Sequence, residues 1–360
     1  MMERASGKMK LFDRYAGIPM VWMQGMLRRR RPLPSPIRSI GLFKEACIGD
    51  TILLAGLIAD LRKAYPEAKV VLFVGPTNKG IAALLDADER VELPVTSPFR
   101  CARLMRRHPV DVLLDFGQWP RINAVYSWLS SAAYTVGFST AGQHRHYGYD
   151  AVVEHRNDRH ELANFQAILA PLGVESKGVP AISVDGEAPV DGKYVVCHPW
   201  PGGTLSEVRE WPQERWVELM RRFRSQGKRV LVTGGTADRE RSEALARLCA
   251  DDGVEVRAGK DGLVAVANLL RRATCVVSVN TGIMHLAAAV GAPTLGLNGP
   301  TAEHRWGPVG AKVDSVSVPL PHGGYLNLGF EYEGRPRDCM ERIGVDEVWQ
   351  KVAQLAGAEG

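Results

Sequence analysis

The chain has 360 residues, enough for two domains with separate cores, and 45% apolar with 24% charged residues is an ordinary globular balance. The net charge of +5 is concentrated at one end: residues 1–31 carry +6 and the rest −1, which excludes the general basicity of a nucleic-acid binder. The six cysteines (Cys47, Cys101, Cys197, Cys249, Cys275 and Cys339) form no CxxC pair, so they read as reduced thiols of a cytoplasmic protein, without a disulfide framework or zinc site.

In chain order, Leu11 to Leu27 is apolar but interrupted by Arg14, Pro19 and Gln24, too short and broken to span a bilayer. Arg28 to Arg31 follow it, the reverse of a secretory signal's order. Aromatic and Met residues beside an arginine cluster suit an anionic membrane surface; the alternative is an extension packed on the domain surface. Pro32, Pro34 and Pro36 mark a linker, so residues 1–36 form an extension.

A first α/β domain is expected over 37–172. Ile40–Phe43, Val70–Val74 and Val110–Asp115 read as strands, with helices over Ile52–Ala64 and Ile122–Ser131. Lys44 to Thr51 is the first strand's loop, and Asp50 there reads, by itself, as a helix N-cap. The basic, aromatic stretch Gln143–Tyr147 is either a solvated loop or, with Arg121 and Arg145, a contact to phosphates or sugars. Asp86-Ala87-Asp88 mimics a DxD metal motif but follows a helix, and no other metal-ligand spacing appears, so no metal or other cofactor is expected.

A linker is expected over 173–192, a second α/β domain over 193–320, and a loop with a closing helix over 321–360. Strands are expected at Tyr194–His198, Arg229–Thr233, Val254–Ala258, Cys275–Val279 and Thr294–Leu297. The stretch from Val276 to Pro308 reads strand, turn at Asn280-Thr281-Gly282, small-residue helix, strand. Such a unit offers backbone N–H groups and a helix's positive end to an anion, with the Thr281 hydroxyl and His285 beside them.

This stretch resembles the signature of glycosyltransferase family 9, the ADP-heptose:lipopolysaccharide heptosyltransferases, roughly D-T-G-x-x-H-L-A-A-A-x-x-x-P-x-x-x-L-x-G-P-T. The segment I-G-D-T-I-L-L, the block from Pro201-Gly202 to Trp211-Pro212, and the closing Cys339-Met340 resemble further motifs of the family. The resemblance implies two facing Rossmann-like domains, the GT-B architecture, with a cleft between them. It implies that the first domain binds a lipid-linked oligosaccharide acceptor and that Asp50 is the catalytic base. It implies that Thr204, Ser206, Arg209 (for the family's lysine), Thr281, Gly282 and His285 hold the diphosphate of an ADP-heptose donor. Asp238 or Glu240 would meet the ribose. Asn280 replaces the family's aspartate at the donor sugar and leaves the sugar's identity open. The implied activity is a metal-independent, inverting heptosyl transfer in lipopolysaccharide core assembly, in the bacterial cytoplasm at the inner face of the inner membrane. The alternatives are a GT-B nucleotide-sugar 2-epimerase and a non-catalytic nucleotide-sugar-binding relative.

Overall fold

The computed structural model describes residues 7–27, 30–203, 205–330 and 338–357. The chain divides into two compact units, residues 1–180 and 181–360.

Unit 1 opens with helix α1 (Gly7–Leu27) and continues β1 (Ser39–Lys44), α2 (Ile48–Ala64), β2 (Lys69–Val74), α3 (Lys79–Ala82), β3 (Glu89–Glu92), α4 (Pro98–Arg107), β4 (Val112–Asp115), α5 (Arg121–Leu129), β5 (Tyr134–Ser139), β6 (Ala151–Glu154) and α6 (Glu161–Ala167). Its six strands are parallel, in the order β3-β2-β1-β4-β5-β6. The central strands are continuously apolar because helices cover a parallel sheet on both faces. Phe43, Val71, Phe73 and Leu113 of these strands pack with Cys101, Met105 and Tyr126 from α4 and α5.

Unit 2 runs β7 (Tyr194–His198), α7 (Gln213–Ser225), β8 (Arg229–Val232), α8 (Arg239–Cys249), β9 (Val254–Val256), α9 (Leu263–Arg272), β10 (Cys275–Val279), α10 (Gly282–Ala289), β11 (Thr294–Asn298), α11 (Glu303–Trp306), β12 (Val313–Ser317) and α12 (Val345–Gly357). Its sheet order, β12-β11-β10-β7-β8-β9, repeats that of unit 1. Trp211 and Trp216 meet edge to face in its core at 5.0 Å, and the Trp211 indole donates to the Ile343 carbonyl at 2.9 Å. The closing helix α12 is thereby tied to α7. At Gly296 on β11, a Cβ would stand 2.7 Å from the Met284 sulfur, so the glycine sets how closely α10 approaches the sheet.

Strands β3, β5, β6 and β12 were not expected from the sequence. β3, β6 and β12 lie at sheet edges, where one side meets water and polar residues break the apolar run; β5 lies inside its sheet. Helix α2 begins four residues earlier than expected, so Asp50 stands in its first turn and Cys47 takes the N-cap position.

The structure corrects the expectation for Arg121 and Arg145, which turn inward. Arg121 is 3% exposed. Its backbone N–H donates to Asp13 Oδ1 at 2.9 Å, its Nη1 to Asp13 Oδ2 at 2.6 Å, and its Nε to the Gln143 carbonyl at 2.8 Å. Arg145 is wholly buried and donates to Asp115 Oδ2 at 3.2 Å, the Tyr149 hydroxyl at 2.8 Å and the Gly117 carbonyl. Burial pushes the Asp115 carboxyl up, while Arg145, Tyr149 and the Gly117 N–H pull it back toward the charged form. Removing one partner of a buried ion pair strands the other. Arg145→Met is expected to cost about 3–5 kcal/mol of stability in urea unfolding. An arginine whose work is to touch a ligand would leave the unfolding midpoint in place.

Candidate functional site

In each sheet the strand order reverses once, between β1 and β4 and between β7 and β10. Loops leaving the carboxyl ends of two such strands diverge, and open α/β sheets bind ligands in the crevice this leaves. Asp50 follows β1; Ser206 and Arg209 follow β7; Asn280, Thr281, Gly282 and His285 follow β10.

At the first reversal, Lys44 ends β1 with its side chain 2% exposed. Its ammonium lies 2.8 Å from Asp50 Oδ2 and donates to Gln118 Oε1, in the loop after β4, at 2.9 Å. Burial opposes the ammonium charge, but Asp50, Cys47 and Glu45 raise its pKa above the ordinary lysine value. Gln118 donates to Glu161 Oε1 at 3.1 Å, and the same oxygen meets His155 Nε2 at 2.9 Å. Asn78 fastens the loop from below, donating to the Lys44 carbonyl and to Thr51 Oγ1 at 2.8 and 2.7 Å. The Asp50 carboxylate is therefore anchored through one oxygen, while its side chain keeps 9% exposure. The sequence reading passed over Lys44 and Gln118; the signal was a lysine closing an otherwise apolar strand.

At the second reversal, Arg209 occupies the matching place. It is 7% exposed; Nη1 donates to the Asn280 carbonyl at 3.2 Å, and Nη2 to the Gly202 carbonyl. It thus bridges the loops after β7 and β10. Thr281 is the N-cap of α10, its hydroxyl oxygen accepting from the Ile283 N–H at 3.0 Å, with Gly282 opening the helix. His285 is buried at the end of that first turn. Ser206 is half-buried and donates to Glu207 at 3.4 Å. Thr204 lies outside the described residues.

Asn280 departs from its expected orientation. Its amide donates to Asn298 Oδ1 at 2.6 Å and to the Trp306 carbonyl at 2.7 Å, and Asn298 passes the chain on to Ser315 Oγ at 3.0 Å. The side chain braces β10 against β11 and α11, with both N–H donors engaged inside the protein. Asp238 is likewise engaged: Oδ2 accepts from the Gly235 N–H at 2.8 Å and Oδ1 from Arg241 at 2.7 Å. Arg241 in turn lies over the Trp200 ring at 4.0 Å. Glu240 is exposed. His198, at the end of β7, holds Thr233 Oγ1 at 2.9 Å through Nδ1, and burial pushes its imidazole down to about 4.

Two predictions follow from this geometry. Asn280→Asp sets a carboxylate against the Trp306 carbonyl and is expected to cost about 1–3 kcal/mol in urea unfolding. Unchanged stability would remove the amide from its bracing role. For His198, the unfolded chain binds a proton that the fold refuses as pH falls below the ordinary 6.5 toward about 4. Its contribution to stability is complete above that window and is lost through it, about 2 kcal/mol by pH 4.5. The gap in unfolding free energy between pH 7 and pH 4.5 should narrow by that amount in His198→Asn.

Residues 123–326 match glycosyltransferase family 9 (heptosyltransferase). Over 157 residues the chain is 38% identical to lipopolysaccharide heptosyltransferase 1 of Escherichia coli K12, covering 40% of this chain and 48% of that protein. Over 136 residues it is 30% identical to lipooligosaccharide heptosyltransferase 2 of Haemophilus influenzae, covering 37% and 38%. The aligned part thus spans less than half the length of these curated relatives. The structure of an Escherichia coli heptosyltransferase solved with ADP superposes with a TM-score of 0.69 at 20% identity, covering 88% of this chain and 99% of that one, a likeness of fold. Two six-stranded parallel sheets of the GT-B type and a family match over more than half its length show that this chain belongs to glycosyltransferase family 9.

Proposed function

We propose that the chain is a metal-independent, inverting glycosyltransferase that moves a heptose or related sugar from an ADP-sugar to a lipopolysaccharide core acceptor. The observation that carries this reading is the pairing of roles with strand-order reversals: an anchored carboxylate at one, and a cation beside a capped helix N-terminus at the other. ADP is the nucleotide held by the Escherichia coli relative.

The chemistry is a single displacement. Asp50 takes the proton of the acceptor hydroxyl as that oxygen bonds the anomeric carbon. The bond from that carbon to the diphosphate oxygen breaks, and ADP leaves with the electron pair. Attack opposite the leaving group inverts the anomeric centre. The leaving charge falls on Arg209, on the amides of Thr281 and Gly282 at the start of α10, and on His285, with Ser206 donating from the preceding loop. Asp238 or Glu240 holds the ribose hydroxyls in this reading. Asn280 acts on the sugar side through the turn it holds, its own amide being committed inward. The acceptor is lipid-linked, so the chain works at the cytoplasmic face of the inner membrane.

A thermal-shift panel of ADP, UDP, GDP, dTDP and CMP tests the donor. A ligand at about a hundred times its dissociation constant adds about 2.7 kcal/mol of native stability, and ADP alone should raise the melt. A larger shift with UDP or GDP would reject the ADP-sugar. Asp50→Asn should lower turnover about 100-fold or more while keeping the ADP shift. Near-normal turnover would remove Asp50 from the chemistry, and conversion of the donor without any acceptor would identify an epimerase instead.

A further inference from the structure

Helix α1 is built inside out. The stripe turned to the protein is Asp13, Gly17, Val21, Gln24 and Gly25, spaced by three and four residues. Asp13 holds Arg121; a Cβ on Gly17 would touch the Arg121 side chain at 3.0 Å; Gln24 donates to the Ala124 and Gly148 carbonyls at 3.2 and 3.5 Å; and Gly25 lies against Tyr147. Val21 is the one large apolar side chain of the stripe, packed with Ala124 and Tyr149. The opposite arc carries Tyr15, Pro19, Trp22, Met23 and Met26. Tyr15 is 74% exposed, Trp22 52%, Met23 53% and Met26 60%. A helix lying on a domain in water has the reverse arrangement.

The segment that carries this face is net positive. Residues 1–31 carry +6, and the helix holds no acid besides Asp13, which is turned inward against Arg121. Arg14, two turns into the helix, and Arg30, just past its end, are exposed. Arg31 serves differently: it clamps the segment to unit 1, its Nη2 donating to Asp150 Oδ2 at 2.8 Å and its Nη1 to the Ala132 carbonyl at 2.8 Å. The helix is therefore held on the domain by polar contacts, with its aromatic and thioether face outward. No helix among the described residues is long and apolar enough to cross a membrane.

We infer that the outward face of α1 docks unit 1 on an anionic lipid surface, lying in the interface with Tyr15, Trp22, Met23 and Met26 among the acyl chains and the arginines at the headgroups. An aromatic, Met-rich face flanked by cations matches an anionic bilayer both in polarity and in charge. The inference deepens the proposed work at the membrane face by naming the docking surface, and because its test needs no turnover it can fail while the transfer reaction stands. The full chain is floated with vesicles of phosphatidylethanolamine and phosphatidylglycerol, and separately with phosphatidylcholine vesicles. Binding should be about tenfold or more stronger to the anionic vesicles, and Trp22→Glu with Met26→Glu should lose about tenfold or more of it. Both positions face solvent, so the variant's melting midpoint should match the parent's. Equal flotation of variant and parent, or no preference for the anionic lipid, overturns the inference. So does a concentration-dependent dimer in the parent that the variant abolishes while neither floats, because the face would then meet a second copy.

Discussion

The reversal of strand order in each sheet is the constraint from which the rest follows. Where two neighbouring parallel strands send their chains in opposite directions, no helix covers the gap above their carboxyl ends. Loop carbonyls and side chains there must find other partners. Both units answer with a buried cation that spans the two loops. Lys44 joins the loop after β1 to Gln118 after β4, and Arg209 joins the loop after β7 to Asn280 after β10. The repetition of one device in two units of the same strand order argues that it is a requirement of the topology, on which chemistry has been superimposed.

The two cations differ as their partners require. Lys44 is a point charge enclosed among one carboxylate, one amide and the face of an aromatic ring, Phe165, whose centroid is 5.8 Å away. Its charge survives burial because Asp50 is adjacent. In return Asp50 is held in one position by the ion pair. Arg209 faces carbonyls, which its planar fork meets at several points at once. Beside it, the cap of α10 leaves the helix's positive end facing the same turn. A cation and a helix's positive end thus stand at the second reversal, and a fixed carboxylate at the first.

Asn280 shows how scaffold and site are bound together. Its carbonyl takes Arg209 and its amide holds Asn298 and Trp306, so one residue positions the cation, the next strand and the short helix α11. An aspartate in its place would have acceptors facing acceptors. The departure from the family's signature is thus matched by neighbours that suit an amide. Arg145 and Arg121 illustrate the converse. Both stand in polar, loop-like sequence, yet the fold consumes them: one neutralises Asp115 in the interior and the other carries α1.

The sequence by itself determined the central strands and the turn at Asn280-Thr281-Gly282, because a strand covered on both faces must be apolar throughout and a helix start needs a cap. It determined the family for the same reason, since those turns hold the motif. It could not show three of the four edge strands, β3, β6 and β12, whose polar residues answer to water on one side. Nor could it show which basic residues face inward, because an arginine at position 121 or 145 is written alike whether its partner is a carboxylate 108 or 30 residues away or a bound ligand. Lys44 and Asp50 are six residues apart, but Gln118, which completes their arrangement, is brought beside them only when β4 pairs with β1. The direction of α1 was decided in the same way. Its composition promised an amphipathic segment, and only its seat on α5, with Asp13 and Gln24 turned to the protein, left the apolar face outside. Periodicity and caps are local and legible in the chain; the partner of a buried charge is a property of the packed molecule.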